Sequence, residues 1–164
     1  MTYMFEKSAY SGNLQKDYDL LNKQLEALSS DETDTIALLS NASALLNQFL
    51  DEVNWTGFYI NRDNELVLGP FQGLPACIRI PFGRGVCGTA ASTRETKRIG
   101  DVQAFPGHIA CDAASKSEIV IPIILEDELF GVLDIDSPIT GRFTENDEAG
   151  LTKFVRTLEQ CLQA

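Results

Sequence analysis

Between Gly69 and Asp136 the chain gathers three of its four cysteines, Cys77, Cys87 and Cys111, its only histidine, His108, and the carboxylates Glu118, Asp134 and Asp136. Thiols in such company serve as packing, as metal ligands or as redox partners. Nine residues separate Cys77 from Cys87 and twenty-three separate Cys87 from Cys111, without a C-x-x-C pair. Zinc sites usually show close pairs, so a site of three cysteines with His108 is allowed by composition but not signalled by spacing. Two thiols on opposing loops or strands form a reversible disulfide where the chain brings their Cα atoms to about 5.5 Å. Inert buried thiols are the plainer alternative, because free cysteine is among the most buried residue types. Cys161 stands apart, beside the apolar face of the last helix, and is expected in the core.

The carboxylates carry a sharper signal. In Leu133-Asp-Ile-Asp136, strand alternation puts Leu133 and Ile135 on one face and Asp134 and Asp136 on the other, while Glu118 opens the preceding strand. Three acids converging on one side of a sheet raise at least one pKa by crowding and desolvation. Such a site binds an ammonium group or gives a proton to a departing oxygen. A solvated outer face is the alternative for this pair in an acidic protein. Trp55 and Tyr59, four residues apart on an expected strand, point the same way and can either wall a pocket for a methyl or thioether group or pack in the core. His108 sits in the Gly107-His-Ile-Ala-Cys111 loop and is expected only to bond backbone. Gly83-x-Gly85-x-x-Gly88 has the spacing of a dinucleotide fingerprint, but Pro81 interrupts the approach and the surrounding strands read antiparallel. The glycines are therefore read as backbone freedom around Cys87.

The elements that must position these groups follow from periodicity. Residues Asn13 to Leu28 place Leu14, Tyr18, Leu21, Leu25 and Leu28 on one helical face. Ser29-x-x-Glu32 has the form of a capping box for a second helix with Ile36, Leu39, Leu46 and Leu50 on its apolar side. Trp55 to Ile60 and Glu65 to Leu68 read as a hairpin about a turn at Asn61-Arg-Asp-Asn64. Ala76 to Ile80 is expected as a short edge strand, Gly85 to Arg94 as a small helix and Lys97 to Ile99 as another brief strand. Gly100 to Ser115 reads as a long surface loop, a class that is usually functional or disordered. Glu118 to Leu125 and Leu129 to Ile135 form a second hairpin about Glu126-Asp-Glu128, and Thr144 caps a last helix with Leu151, Phe154, Val155, Leu158 and Leu162 on one face. This order describes an α+β domain with a central antiparallel sheet and the helices of the two chain ends packed on one of its faces.

The totals bound the function. With 164 residues, 44% of them hydrophobic, the chain fits one domain that buries roughly 70% of its unfolded surface. A formal charge of −11 argues against nucleic acid and anionic membrane as partners, since both rely on Lys and Arg. The longest apolar run, Ile119 to Leu125, is far short of the roughly 20 residues that span a bilayer. The first residues lack the pattern of a secretory signal, so a cytoplasmic location is expected, where cysteines are usually reduced.

Seven motifs in order, Asn54-Trp-Thr-Gly-Phe-Tyr59, Leu68-Gly-Pro-Phe-Gln-Gly73, Pro75-Ala-Cys77, Arg79-Ile-Pro-Phe-Gly-Arg-Gly-Val-Cys-Gly-Thr-Ala90, Ala104-Phe-Pro-Gly-His-Ile-Ala-Cys-Asp112, Ser117-Glu118 and Gly131-Val-Leu-Asp-Ile-Asp-Ser-Pro138, closely resemble the free methionine-(R)-sulfoxide reductases. These are GAF-type domains; the resemblance covers nearly the whole chain and implies a single GAF-like domain over residues 1–164. It implies reduction of free L-methionine (R)-sulfoxide to methionine. No bound cofactor is implied, and no metal. Reducing equivalents come from thioredoxin, and so indirectly from NADPH through thioredoxin reductase. Cys111 matches the nucleophile, which becomes a sulfenic acid. Cys77 matches the resolving cysteine that closes a Cys77–Cys111 disulfide, and Cys87 matches a third cysteine, an alternative resolver or relay. Trp55 and Tyr59 match pocket aromatics. Glu118, Asp134 and Asp136 match the acids that hold the substrate and assist at its oxygen, with Glu118 and Asp136 taken as catalytic. Pairing through terminal helices, common among GAF domains, makes a homodimer a further expectation. A ligand-binding GAF sensor and a zinc-holding module are the rival readings.

Overall fold

The computed structural model of the chain describes residues 9–108, 111 and 113–163. Of the expected Gly100 to Ser115 loop, Ile109, Ala110 and Asp112 lie outside the described residues, as does the chain start read for a signal.

Helix α1 (Leu14–Leu28) starts where Asn13 accepts a hydrogen bond from the Lys16 N–H at 3.1 Å, and it buries Tyr18, Leu21 and Leu25 as the spacing requires. The capping box does not form. Ser29 instead terminates α1, and α2 (Thr35–Phe49) begins three residues beyond Glu32, where Asp34 accepts from the Ala37 N–H at 2.9 Å. Glu32 is occupied locally, accepting from the N–H groups of Thr33 and Asp34. A left-handed Asp31 turns the chain between the two helices, which leaves Asp34 as the nearest capping side chain. Leu38, Leu39, Ala42 and Leu46 are buried, but Ile36, expected on the same face, is 69% exposed in the first turn.

The sheet contains β1 (Trp55–Arg62), β2 (Glu65–Gly73), β3 (Arg79–Pro81), β4 (Lys97–Ile99), β5 (Ser117–Leu125) and β6 (Glu128–Ser137) in the order β3-β2-β1-β6-β5-β4. Every neighbouring pair is antiparallel. Both hairpins close on two residues with positive φ, Asp63-Asn64 and Glu126-Asp127, whose twist matches that of the strands. Strand β2 runs past Leu68, where the sequence suggested it ends. Its proline is accommodated because Gly57 pairs with Phe71 and Tyr59 with Leu68, so Gly69 and Pro70 bulge opposite Phe58. Pro122 is tolerated inside β5 for a related reason: β4 pairs only as far as Val120 and leaves that edge without a ladder partner.

Strand alternation then makes two cores. Phe58, Ile119, Ile121, Leu133 and Ile135 pack under α1, α2 and the last helix, α4 (Glu145–Gln163). Trp55, Tyr59, Val120 and Val132 face the other way, against Ile80, Val86 and Ala90 from β3 and the small helix α3 (Gly85–Thr93). Asp147 holds the terminal helices together. It accepts from the Thr144 N–H and Oγ1 while Thr144 caps its own N–H, it accepts from the buried Tyr18 hydroxyl at 2.9 Å, and it pairs with Arg142 at 3.2 Å. Leu151, Phe154, Val155 and Leu158 are fully buried. Cys161 is not in the core as expected: it is half-buried in the last turn of α4, where Leu162 is likewise only partly covered.

Candidate active site

The side chains with chemistry meet on the face of the sheet opposite the terminal helices. Trp55 and Tyr59 share that face of β1, with ring centroids 5.8 Å apart and planes at 21°, and Phe71 stacks on Trp55 with centroids 5.1 Å apart. Both polar tips are satisfied. The Trp55 Nε1–H donates to the Leu74 carbonyl at 3.1 Å and the Tyr59 hydroxyl to the Cys77 carbonyl at 2.8 Å. The aromatics therefore serve twice, walling the pocket and pinning the segment between β2 and β3 that carries Cys77.

The acids come from β5 and β6. Glu118 lies directly opposite Asp136, and Asp134 is two pairs further along, opposite Val120 and on the same face. Glu118 and Asp134 are only 6% and 5% exposed and Asp136 is half-buried, so this is no solvated outer face. Burial pushes the Glu118 carboxyl well above its ordinary range, and the charges of Asp134 and Asp136 push it further. Asp134 is also raised by burial, against hydrogen bonds from Glu118, Cys87 and Asp136 and the charge of His108, which lower it. Its Oδ1 atom has no hydrogen-bond partner among the described residues. A polar atom so enclosed invites a donor from a bound molecule.

Helix α3 brings Cys87 to the same wall, its thiol directed at Glu118 Oε2 at 3.8 Å. Burial raises that thiol's pKa strongly, and the three acids add to the effect. Gly83 and Gly85 before it take positive φ, whereas Gly88 after it is required by space. A Cβ on Gly88 would strike the Pro81 carbonyl, and the Gly83 N–H donates to the Gly88 carbonyl to close the turn. The dinucleotide reading has no place in this antiparallel surround.

Cys77 and Cys111 form a disulfide, with Cα atoms 5.7 Å apart, that staples the β2–β3 connection to the long loop. Cys111 is exposed and Cys77 half-buried. The loop is otherwise held by a 3-10 turn at Val102–Ala104, by the Val102 N–H donating to the Lys116 carbonyl and by Asn54 donating to the Ser115 hydroxyl at 3.1 Å. With two thiols oxidised together, the zinc set of three cysteines and His108 is not what the structure assembles. Among the described residues, the buried ligand atoms that do come within 4.8 Å of one another belong to Cys87, Glu118 and Asp134. His108 lines the pocket in addition to its backbone bond to Phe105; burial lowers its pKa and the charge of Asp134 opposes this.

Of the lining residues that the sequence reading did not single out, one carries a charge. Arg84, exposed at the rim, supplies a cation just before α3, whose first turn has no side-chain cap. No periodicity marks a charge in a tight turn, so only its membership of the Arg79 to Ala90 motif could have pointed to it.

A curled antiparallel sheet with terminal helices on one face and a pocket on the other is the arrangement of a GAF domain, and the GAF domain family model matches residues 24–162. The chain is 55% identical over 145 residues to the free methionine-R-sulfoxide reductase of Escherichia coli (88% of each chain), and 63% identical over 161 residues to Protein YtsP of Bacillus subtilis (97% of this chain, 99% of that one). A solved structure of fRMsr of Staphylococcus aureus in complex with substrate superposes with a TM-score of 0.86 at 55% identity, covering 94% of this chain and 99% of the other. Within the GAF domains, the chain belongs to the free methionine-R-sulfoxide reductase family.

Proposed function

We propose that the chain reduces free L-methionine (R)-sulfoxide to L-methionine, as one catalytic domain spanning residues 1–164. The observation that carries this is that Cys111, disulfide-bonded to Cys77, lines one aromatic-walled pocket together with the buried carboxyls of Glu118 and Asp134.

Sulfoxide oxygen leaves poorly unless it is protonated, and a carboxyl with a raised pKa supplies that proton. Glu118 is the assigned acid, with Asp136 opposite it as the catalytic partner. Cys111 as thiolate attacks the sulfoxide sulfur. The oxygen passes to Cys111 as a sulfenic acid and methionine departs, two electrons richer. The Cys77 thiol then attacks the sulfenic sulfur, water leaves, and the Cys77–Cys111 disulfide closes. Cys87, set against Glu118, is assigned as the alternative resolver or relay. Trp55 and Tyr59 receive the methyl and thioether portion. Glu118, Asp134 and Asp136 face the ammonium and oxygen ends, and Arg84 answers the carboxylate. Thioredoxin returns the disulfide to thiols and draws on NADPH through its reductase.

The test couples NADPH oxidation, through thioredoxin and thioredoxin reductase, to each configuration of free methionine sulfoxide. Consumption is expected with the R form; none, with a known reductase working alongside, would sink the proposal. Cys111→Ser is expected to lose methionine formation outright, whereas Cys77→Ser retains one stoichiometric turnover. If Cys111→Ser kept that turnover and Cys87→Ser lost it, nucleophile and relay would have to be exchanged.

A further inference from the structure

The disulfide lies in an unusual stretch of surface. From Val67 to Ile78 no residue carries a charge, in a chain with 24 acidic and 13 basic residues. Six large apolar side chains are exposed among the described residues, and two of them, Leu74 at 62% and Ile78 at 67%, flank Cys77. The other four are spread over α1, α2 and the segment after β6.

The backbone explains why these two point outward. The Leu74 and Cys77 carbonyls are drawn in by Trp55 and Tyr59, and the Ile78 carbonyl accepts from the Leu68 N–H at 2.9 Å. With its carbonyls tethered inward, the segment presents the Leu74 and Ile78 side chains to solvent beside the sulfurs. Fixed backbone also lowers the entropy cost of covering them.

We infer that Leu74 and Ile78 form the docking surface for the protein dithiol that reduces the Cys77–Cys111 disulfide, an inference that rests on the proposed catalytic cycle. The disulfide selects the occupant. Whatever covers these side chains lies against the sulfurs, and turnover requires a partner that brings a thiolate there. One thiolate of the partner attacks a sulfur of the pair, forming a mixed disulfide and releasing the other cysteine as thiolate. The partner's second thiol then attacks its own mixed-disulfide sulfur, releasing the second cysteine. Two electrons pass to the chain, the partner leaves oxidised, and the two cysteines end with the two protons the partner's thiols gave up. An uncharged apolar patch fits the core of such a contact, where charge is depleted.

The test measures reduction of the preformed disulfide in the full chain by reduced thioredoxin, followed by thioredoxin fluorescence, with dithiothreitol as the small-molecule reductant in parallel. Leu74→Glu with Ile78→Glu is expected to lower the thioredoxin rate constant about tenfold or more. The dithiothreitol rate should stay that of the wild type, and Ile36→Glu, an equally exposed site on α2, should change neither. A thioredoxin rate unaltered by the double substitution overturns the inference. So does an equal loss with both reductants, which would mean disturbed local structure, or a change only in sedimentation, which would make the patch a contact between copies. Sulfoxide is absent from these reactions, so failure of the proposed substrate would show separately, as wild type that reduces its disulfide normally yet yields no methionine.

Discussion

Glu118 and Asp136 stand directly opposite one another across the β5–β6 ladder, each aimed at the pocket side of the sheet. Like charges so placed destabilise a sheet, unless one carboxyl keeps its proton. Burial settles which one, because Glu118 is almost wholly enclosed and is held well above the ordinary carboxylate range.

A carboxyl whose pKa rises on folding binds its proton more tightly in the native state than in the unfolded state. Its contribution to stability is therefore full below the ordinary carboxylate pKa and is lost as pH rises toward the raised native value. Glu118→Gln, which cannot ionise, is expected to gain Tm relative to wild type by an amount that widens as pH rises above the ordinary carboxylate range. The same variant should lose about 10²–10⁴-fold in kcat, as expected for removal of a general acid. Thermal scans across pH and sulfoxide turnover check the two halves; a Tm difference independent of pH would contradict the protonated assignment.

Thiol reactivity should follow environment. In the reduced protein, Cys87 is enclosed by acids that keep it a thiol, whereas Cys111 sits at the surface. Timed iodoacetamide labelling read by mass spectrometry is expected to modify Cys111 well before Cys87, with half-buried Cys161 in between. Cys87 labelling first would remove the basis for treating it as a relay.

Two glycines separate site from scaffold. A Cβ on Gly131 would strike the Tyr59 carbonyl in the neighbouring strand, while one on Gly150 would strike the Tyr18 ring between α4 and α1. Either alanine is expected to cost about 1–3 kcal/mol in urea unfolding, the range for overpacking. Only Gly131→Ala should also raise KM for the sulfoxide, since it displaces the strand that carries Trp55 and Tyr59.

Selectivity for the free amino acid should depend on charge at both ends of the pocket. Arg84→Ala is expected to raise KM for free methionine sulfoxide up to about fivefold with kcat little changed, the range for one exposed charge pair. Methionine sulfoxide within an intact protein, lacking both free termini, should be reduced at a negligible rate. Comparable rates on the two substrates would show that the acids and Arg84 do not read the amino acid's charges.

Much of this architecture is written in local pattern. Steps of three and four place Tyr18, Leu21 and Leu25 in one core, and alternation in Leu133-Asp-Ile-Asp136 divides core from pocket before any tertiary contact is known, because side-chain direction in helices and strands follows from backbone geometry alone. Motif order carried the family as well. The failures occur where neighbours decide. Glu32 has the spacing of a capping box, but Asp34 stands closer to the helix start; Pro70 ought to end β2, but a bulge opposite Phe58 absorbs it. Cys161 has a core residue's spacing and only a helix end's burial. The site is tertiary above all. Spacing left Cys77, Cys87 and Cys111 equivalent, since a sequence separation of 34 between two thiols says nothing of their separation in space. Folding gave two of them a common surface and set the third among Glu118 and Asp134, where the cost of burying charge, absent from any one-dimensional pattern, distinguishes their chemistry.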